Sequence, residues 1–258
     1  MLILDRTDFN IVLLPFIFFL SIILLFNNSD SFSVSSNFTI INNNIEHEQN
    51  ISQTVNKGMN LVFEGKYNDS LIFFNKTLKL EPNNLVALNT KAFVLDQLGK
   101  YNEAITWYDK ALGVDPTHLN TLYNKGTTLF HLGKHNETIT WYDKVLGIDP
   151  HHTRALNYKG AALVELGKYN EAIVWFDKAL DIEPNYTNAL SNKGWALNNL
   201  ERYNEAITWY DKALGVDPTH LSALTGKGLA LDKLGKHNEA ITWYDKALET
   251  YYKTKLKK

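Results

Sequence analysis

Apolar and small residues recur along most of the chain at spacings that fit one face of an α-helix. In residues 187–220, Leu190, Gly194 and Leu197 follow one another at i, i+4 and i+7, and a second stripe runs from Tyr203 to Leu214. Residues three and four apart share a helix face, so each stripe is typical of an amphipathic helix. The pattern therefore predicts two helices within these 34 residues.

The same pair of stripes repeats along the chain with a fixed period. Segments that match GKYNE or a close variant begin 34 residues apart, at Gly65, Gly99, Gly133, Gly167, Glu201 and Gly235. We number positions 1 to 34 in six units, which are 51–84, 85–118, 119–152, 153–186, 187–220 and 221–254. A fixed period of this length indicates a repeat architecture, in which each unit buries its apolar face against its neighbours.

Turn signals separate the helices of each unit. Glycine at position 15 predicts the end of the first helix, because glycine readily adopts the left-handed conformation found there. Asparagine at position 18 predicts the N-cap of the second helix. Proline at position 32 predicts its end, since proline disfavours helix in the preceding residue and cannot donate a backbone hydrogen bond. Each unit is therefore predicted to be a helical hairpin.

The residue types at fixed positions resemble the tetratricopeptide repeat (TPR) over residues 51–254. In the fifth unit they are Gly194, Ala206, Tyr210, Ala213 and Pro218, at positions 8, 20, 24, 27 and 32. The resemblance implies an all-α, right-handed superhelical solenoid of about six hairpins, whose first helices line a concave groove. Leucine at position 4 and lysine at position 7 depart from the family pattern. The first unit is degenerate, with polar residues Thr54, Ser70 and Thr77 at apolar positions.

In this family the groove usually holds a peptide or helix of a partner, and selectivity is expected at positions that vary between units. Asparagine recurs at positions 5 and 6, and a carboxamide can both donate to and accept from a peptide backbone. Aromatic residues would add apolar anchors. The alternative is that asparagine fills neutral surface positions and that the aromatics pack on neighbouring helices. The groove candidates are Asn89, Phe93, Tyr123, Asn124, Phe130, Arg154, Asn157, Tyr158, Asn192 and Trp195.

The first 50 residues have a different composition. Residues 11–26 are apolar apart from Pro15 and Ser21, so residues 1–26 are predicted to be a signal-anchor, a single helix that holds the protein at a membrane, or alternatively a cleaved signal peptide. Arg6 precedes this segment and no Lys or Arg follows until Lys57, which predicts that the repeats lie on the outer side or are secreted. Residues 27–50, rich in Asn and Ser, are predicted to be a flexible linker, and residues 255–258 a basic tail.

Charge and motifs narrow the functional classes. A net charge of −2 gives no reason to expect a nucleic-acid partner, and the absence of cysteine excludes disulfides and thiolate chemistry. We find no phosphate-binding loop, metal motif or nucleophile elbow, so no enzyme activity, cofactor, metal or small-molecule substrate is expected. Tryptophan at position 23 is interpreted as packing between units, and lysine at position 7 as a stem that covers apolar surface with its ammonium group in water.

Three functions remain open at this level. The preferred one is a non-enzymatic scaffold that binds a peptide or protein segment in the groove. The second is a structural component of a larger assembly, which makes contacts through its outer face or its ends. The third is an accessory or carbohydrate-binding protein that uses exposed aromatic side chains.

Overall fold

The computed structural model describes residues 31–255 of the chain. Residues 1–30 and 256–258 lie outside the described residues, and with them the predicted membrane segment and most of the basic tail. The chain divides into two compact bodies, one that ends at Thr128 and one that begins at Leu129. Within residues 31–255, no helix combines the length and the hydropathy that crossing a bilayer requires.

Residues 31–255 contain twelve α-helices and no strand. Up to the boundary, the helices are α1 (Ser31–Phe63), α2 (Tyr67–Leu80), α3 (Leu85–Gln97), α4 (Tyr101–Val114) and α5 (Leu119–His131), the last of which crosses it. The second body continues with α6 (His135–Ile148), α7 (Thr153–Glu165), α8 (Tyr169–Ile182), α9 (Thr187–Asn199), α10 (Tyr203–Val216), α11 (Leu221–Lys233) and α12 (His237–Lys255). First and second helices alternate as predicted, and α12 continues past the position where the other units have proline.

The tight turn within each unit depends on a left-handed residue at position 15. Gly65, Gly99, Gly133, Gly167 and Gly235 have φ between 72° and 76°. Glu201 replaces glycine in the fifth unit and still adopts φ 60°, a conformation that costs free energy for a residue with a Cβ atom. The predicted N-cap at position 18 is wrong, because the second helices begin at position 17 and the residue at position 16, such as Lys100, stands at the cap without a side-chain hydrogen bond.

Three of the first helices, α3, α7 and α11, are capped by the side chain of the last residue of the preceding unit. The Ala87 amide donates to Asn84 Oδ1 at 2.9 Å. Histidine takes the same role through its Nδ1 atom, which accepts from the Ala155 amide at His152 (3.2 Å) and from the Ala223 amide at His220 (3.3 Å). Burial lowers the pKa of both imidazoles below their usual value of 6.5, which keeps the accepting nitrogen unprotonated.

In the first body, the degenerate unit forms a hairpin like the others. Thr54, Ser70 and Thr77 are all buried, and Phe74 packs in one cluster with Met59, Val62 and Val94. Residues 31–50 were predicted to be part of a flexible linker, but they form the N-terminal part of α1. This segment contains neither proline nor glycine, so nothing in it stops a helix that extends from the packed residues that follow.

In the second body, the aromatic residue at position 24 packs against small residues on the first helices. The Tyr210 ring is fully buried in a cluster with Leu190, Leu197 and Ala223. A Cβ atom added to Gly194 would lie 2.7 Å from Tyr210 Cε1, so glycine is what allows α9 and α10 to pack so closely. The clusters join helices of successive units, as expected for a repeat protein.

Candidate functional site

The predicted groove residues of the first body are inside the protein. Asn89, Phe93, Tyr123 and Asn124 are all buried. The Thr121 hydroxyl donates to Asn89 Oδ1 at 3.0 Å, which satisfies one amide atom internally. Among the described residues, neither amide atom of Asn124 has a hydrogen-bond partner, although both are shielded from solvent. This part of the predicted amide ladder is therefore not accessible to a ligand in the structure.

The second body brings several predicted groove residues to the surface. Asn157 is buried, whereas Arg154, Tyr158 and Asn192 are half-buried. The Asn192 Nδ2 atom donates to Asn157 Oδ1 at 3.0 Å, so two members of the predicted amide ladder are joined across α7 and α9. The second amide hydrogen and the carbonyl oxygen of Asn192 are left for other partners.

Aromatic packing holds Tyr158 in place. Its ring is stacked on Tyr142 with centroids 5.8 Å apart, and Phe130, which is half-buried, meets it edge to face at 5.8 Å. Phe130 and Tyr158 thus pack on neighbours, as the alternative interpretation of the groove aromatics had it. Trp195 differs, because 44% of it is exposed and no ring contact of it is found among the described residues.

Further polar side chains lie at the N-terminal ends of α9 and α11. The Asn188 Oδ1 and His220 Nε2 atoms lie 3.1 Å apart. Burial raises the pKa of Tyr186, and a hydrogen bond from Asn188 and the charge of Arg154 partly oppose this shift. Within the described part of the chain, Arg154 itself has no ion pair or hydrogen bond. The second body therefore presents an unpaired cation, amides and an exposed indole along one face of α7 and α9.

Lysine at position 7 has a role that sequence reasoning missed. The ammonium groups were expected in water, but from the third unit onward each pairs with the aspartate at position 25 of the preceding unit, as Lys193 does with Asp177. The lysine also lies over the tryptophan of its own unit, with Lys193 Nζ 3.7 Å from the Trp209 ring centroid. The recurring Asp-Lys at positions 25 and 26 was the signal. The pairs are Lys125–Asp109, Lys159–Asp143, Lys193–Asp177 and Lys227–Asp211.

Tryptophan at position 23 is half-buried and packs between two lysines, in agreement with its interpretation as a packing residue. Trp175 and Trp209 also contact the hydrophobic cluster of the second body. Lysine at position 26 completes the sandwich, with Lys212 Nζ 3.9 Å from the Trp209 centroid. The ion pairs therefore link successive units, whereas the cation–π contacts lie within a unit, and the lysines do not form an open basic stripe.

Sequence comparison identifies this arrangement. A family model described as "Anaphase-promoting complex, cyclosome, subunit 3", which consists of TPR-type repeats, matches three overlapping stretches, residues 63–145, 97–179 and 167–247. These stretches cover more than half of the chain. The chain belongs to the TPR family. A comparison with curated protein sequences found no match.

Solved structures of TPR proteins resemble this one. A TPR protein from Parabacteroides merdae has a TM-score of 0.69 and 20% identity, covering 78% of this chain and 80% of its own. A MamA structure has a TM-score of 0.54 and 27% identity, covering 62% and 94%. YrrB, described as a TPR protein with an unusual peptide-binding site, has a TM-score of 0.53 and 22% identity, covering 69% and 91%. At 20% and 22% identity, the first and third show the fold alone.

Proposed function

We propose that this TPR protein is a non-enzymatic interaction module that binds a peptide or protein segment on the face formed by α7 and α9. The observation that carries the proposal is Trp195, an indole with 44% exposure at a position whose residue is buried or half-buried in every other unit. Tryptophan is among the residue types that dominate the binding energy of protein interfaces. An exposed indole beside unsatisfied polar groups is a surface suited to an amphipathic segment.

The neighbouring side chains define what such a segment needs. Arg154 would pair with a carboxylate, and its guanidinium group can do so with two parallel hydrogen bonds. Asn192 can bond to a peptide N–H or C=O, and it is oriented by its bond to Asn157. The ligand that fits is an extended segment with an acidic residue and a large apolar residue. The peptide-binding site named for YrrB supports a peptide as the class of ligand, by analogy of fold.

A peptide selection tests the proposal. The full chain, immobilised in detergent, is used to select binders from a random dodecapeptide display library, and the recovered peptides are titrated against variants. We expect Trp195→Ala and Arg154→Ala each to weaken binding about tenfold or more, the loss typical of an interface anchor. Val174→Ala, an exposed residue on α8, is the matched control. Peptides that bind Trp195→Ala as tightly as the parent would show that this face is not the site.

We also propose that residues 11–26 anchor the protein in a membrane with the repeats on the outer side. The support is the apolar composition of this segment and the position of Arg6 before it. The chain contains no cysteine, so a single Asn185→Cys substitution gives one reactive thiol at an exposed site. A membrane-impermeant maleimide should label it in intact cells. Labelling that requires permeabilisation would refute the orientation, and labelled protein free in the medium would indicate a cleaved signal.

A further inference from the structure

The second helix of the last unit shares a ten-residue segment with an internal second helix, but within residues 31–255 no helix covers its outer side. The segment EAITWYDKAL occurs at residues 205–214 in α10 and again at residues 239–248 in α12. In α10, the side chains of this segment are covered by α11, and Tyr210 is fully buried. A Cβ atom added to Gly226 of α11 would lie 2.6 Å from Tyr210 Cε1, which shows how closely the covering helix approaches.

The same residues are exposed in α12. Ile241 is 56% exposed and Leu248 is 54% exposed. Their counterparts in α10, Ile207 and Leu214, are more buried, at an intermediate exposure. Tyr244 is no longer fully buried, although its neighbours in sequence are the same as those of Tyr210. The apolar surface continues along α12 through Tyr251 and Tyr252, which are 42% and 60% exposed. We call the surface formed by Ile241, Tyr244, Asp245 and Leu248 the end face.

The end face also contains an aspartate whose counterparts are all paired. In the second body, Asp143, Asp177 and Asp211 each bind a lysine from the first helix of the following unit. Asp245 occupies the same position in the last unit, is exposed, and has no ion pair or hydrogen bond among the described residues. The end face thus combines apolar side chains and a carboxylate in the arrangement that elsewhere in the chain binds a helix.

The internal helices that bind this arrangement share one pattern. In α9 it consists of Ala189, Lys193 and Ala196, at i, i+4 and i+7, and α7 and α11 have alanine and lysine at the same spacing. The alanines are fully buried, so the helices approach closely, while the lysine reaches the aspartate. We infer that the end face docks an α-helix of a partner protein that presents a small residue, a lysine and a second small residue at this spacing, with the lysine bound to Asp245. This inference is independent of the groove on α7 and α9.

A second copy of the chain fits the end face less well than such a helix. The first helix of the first unit has Lys57 at the lysine position but exposed Gln53 and Asn60 where the covering helices have alanine. Their larger amide side chains would hold the helices apart and lose hydrogen bonds to water on burial. Two end faces packed on each other would bring two Asp245 carboxylates together, which is unfavourable.

The chain itself supplies the probe for a test. A peptide of residues 219–236 contains the helix that covers residues 205–214, and a hydrocarbon staple between positions 225 and 232, both exposed in α11, keeps it helical. A fluorescent form of this peptide is titrated against the full chain in detergent. We expect saturable binding that Leu248→Asp and Asp245→Lys each weaken about tenfold or more, through lost apolar contact and like-charge repulsion respectively. Val174→Asp, on an exposed part of α8, is the control and should leave binding unchanged.

A charge exchange separates docking at the end face from displacement of the chain's own α11. The peptide with Lys227→Asp should bind the parent weakly and regain affinity for Asp245→Lys. Circular dichroism of each variant checks that it is folded, and the milder Asp245→Asn serves if Asp245→Lys is not. No saturable binding, or equal binding to Leu248→Asp and the parent, would overturn the inference. It would also be overturned if the chain formed a dimer that Asp245→Lys dissociates while the peptide does not bind, since the occupant would then be a second copy.

Discussion

The contact between Gly194 and Tyr210 gives a prediction whose sign is opposite to that of helix propensity. Replacing glycine by alanine within a helix normally stabilises it by about 1 kcal/mol. In Gly194→Ala, however, the new Cβ atom would lie 2.7 Å from Tyr210 Cε1, which is 0.7 Å inside the 3.4 Å at which ordinary contact begins (3.4 − 2.7 = 0.7). The Tyr210 ring cannot retreat freely, because Gly226 of α11 also lies close to it and the ring is fully buried.

The two effects can be compared in magnitude. Overpacking a close-packed core by a methyl group costs about 1–3 kcal/mol, and the gain in propensity offsets about 1 kcal/mol of this. We therefore expect Gly194→Ala to lower the free energy of unfolding by about 1 kcal/mol. Gly215, in the last turn of α10, has no atom within 4 Å of the position of an added Cβ, and its counterpart in the fourth unit is Asp181. Gly215→Ala should therefore raise stability by a few tenths of a kcal/mol to about 1 kcal/mol.

Urea denaturation followed by far-ultraviolet circular dichroism measures both variants against the parent. The comparison depends on the order of the midpoints, with Gly215→Ala above the parent and Gly194→Ala below it. If Gly194→Ala raised the midpoint as much as Gly215→Ala, the packing of Tyr210 between the two glycines would not limit the distance between α9 and α10, and the reasoning would be wrong.

Three further predictions follow from differences between equivalent positions. Tyr210→Ala should lower the free energy of unfolding by about 3–5 kcal/mol, the usual loss for a fully buried aromatic residue. Tyr244→Ala should lower it by at least about 1 kcal/mol less, because Tyr244 is only partly buried. Equal losses would contradict the exposure of the end face. Glu201→Gly should raise the thermal midpoint by relieving the positive φ, and a lowered midpoint would refute this. The pKa of His220 is depressed in the folded state, so its contribution to stability is complete above the unfolded value of 6.5 and declines as the pH falls below that value. His220→Asn replaces the imidazole by the cap seen at Asn84, which does not titrate. This variant should therefore lose less urea resistance than the parent between pH 7.5 and pH 5.

Local chemistry made much of the fold predictable. The apolar stripes, the glycine at position 15 and the proline at position 32 each act within a few residues, and together they specify where each helix ends. The N-cap of the second helix was misplaced because Asn at position 18 has the preferred side chain, although the helix begins one residue earlier. The first helices that follow His152 and His220 are capped by an imidazole, which accepts a hydrogen bond only when it is neutral. Predicting this imidazole cap requires the environment that keeps the ring neutral.

The accessible part of the groove could not be predicted in the same way. Whether an asparagine of a first helix is buried depends on side chains 30 or more residues away, as the bond from Thr121 to Asn89 shows. Asn124 and Asn192 share position 6, yet one is fully buried and the other half-buried. The lysine–aspartate pairs also join different units, so a period in the sequence reveals that both residues recur but not that they meet.

Because the repeats are nearly identical, a residue that differs from its equivalents in sequence or in contacts is a candidate for a role beyond packing. Residues that recur from unit to unit are mostly explained by contacts that recur with them, as Lys193 is by Asp177 and Trp209. Trp195 has no such recurring contact, and Asp245 has the recurring sequence without the recurring partner. The first is an added side chain and the second an uncovered surface, and we propose that each serves a separate interaction. A variant that loses one interaction and keeps the other would establish that the two sites act separately.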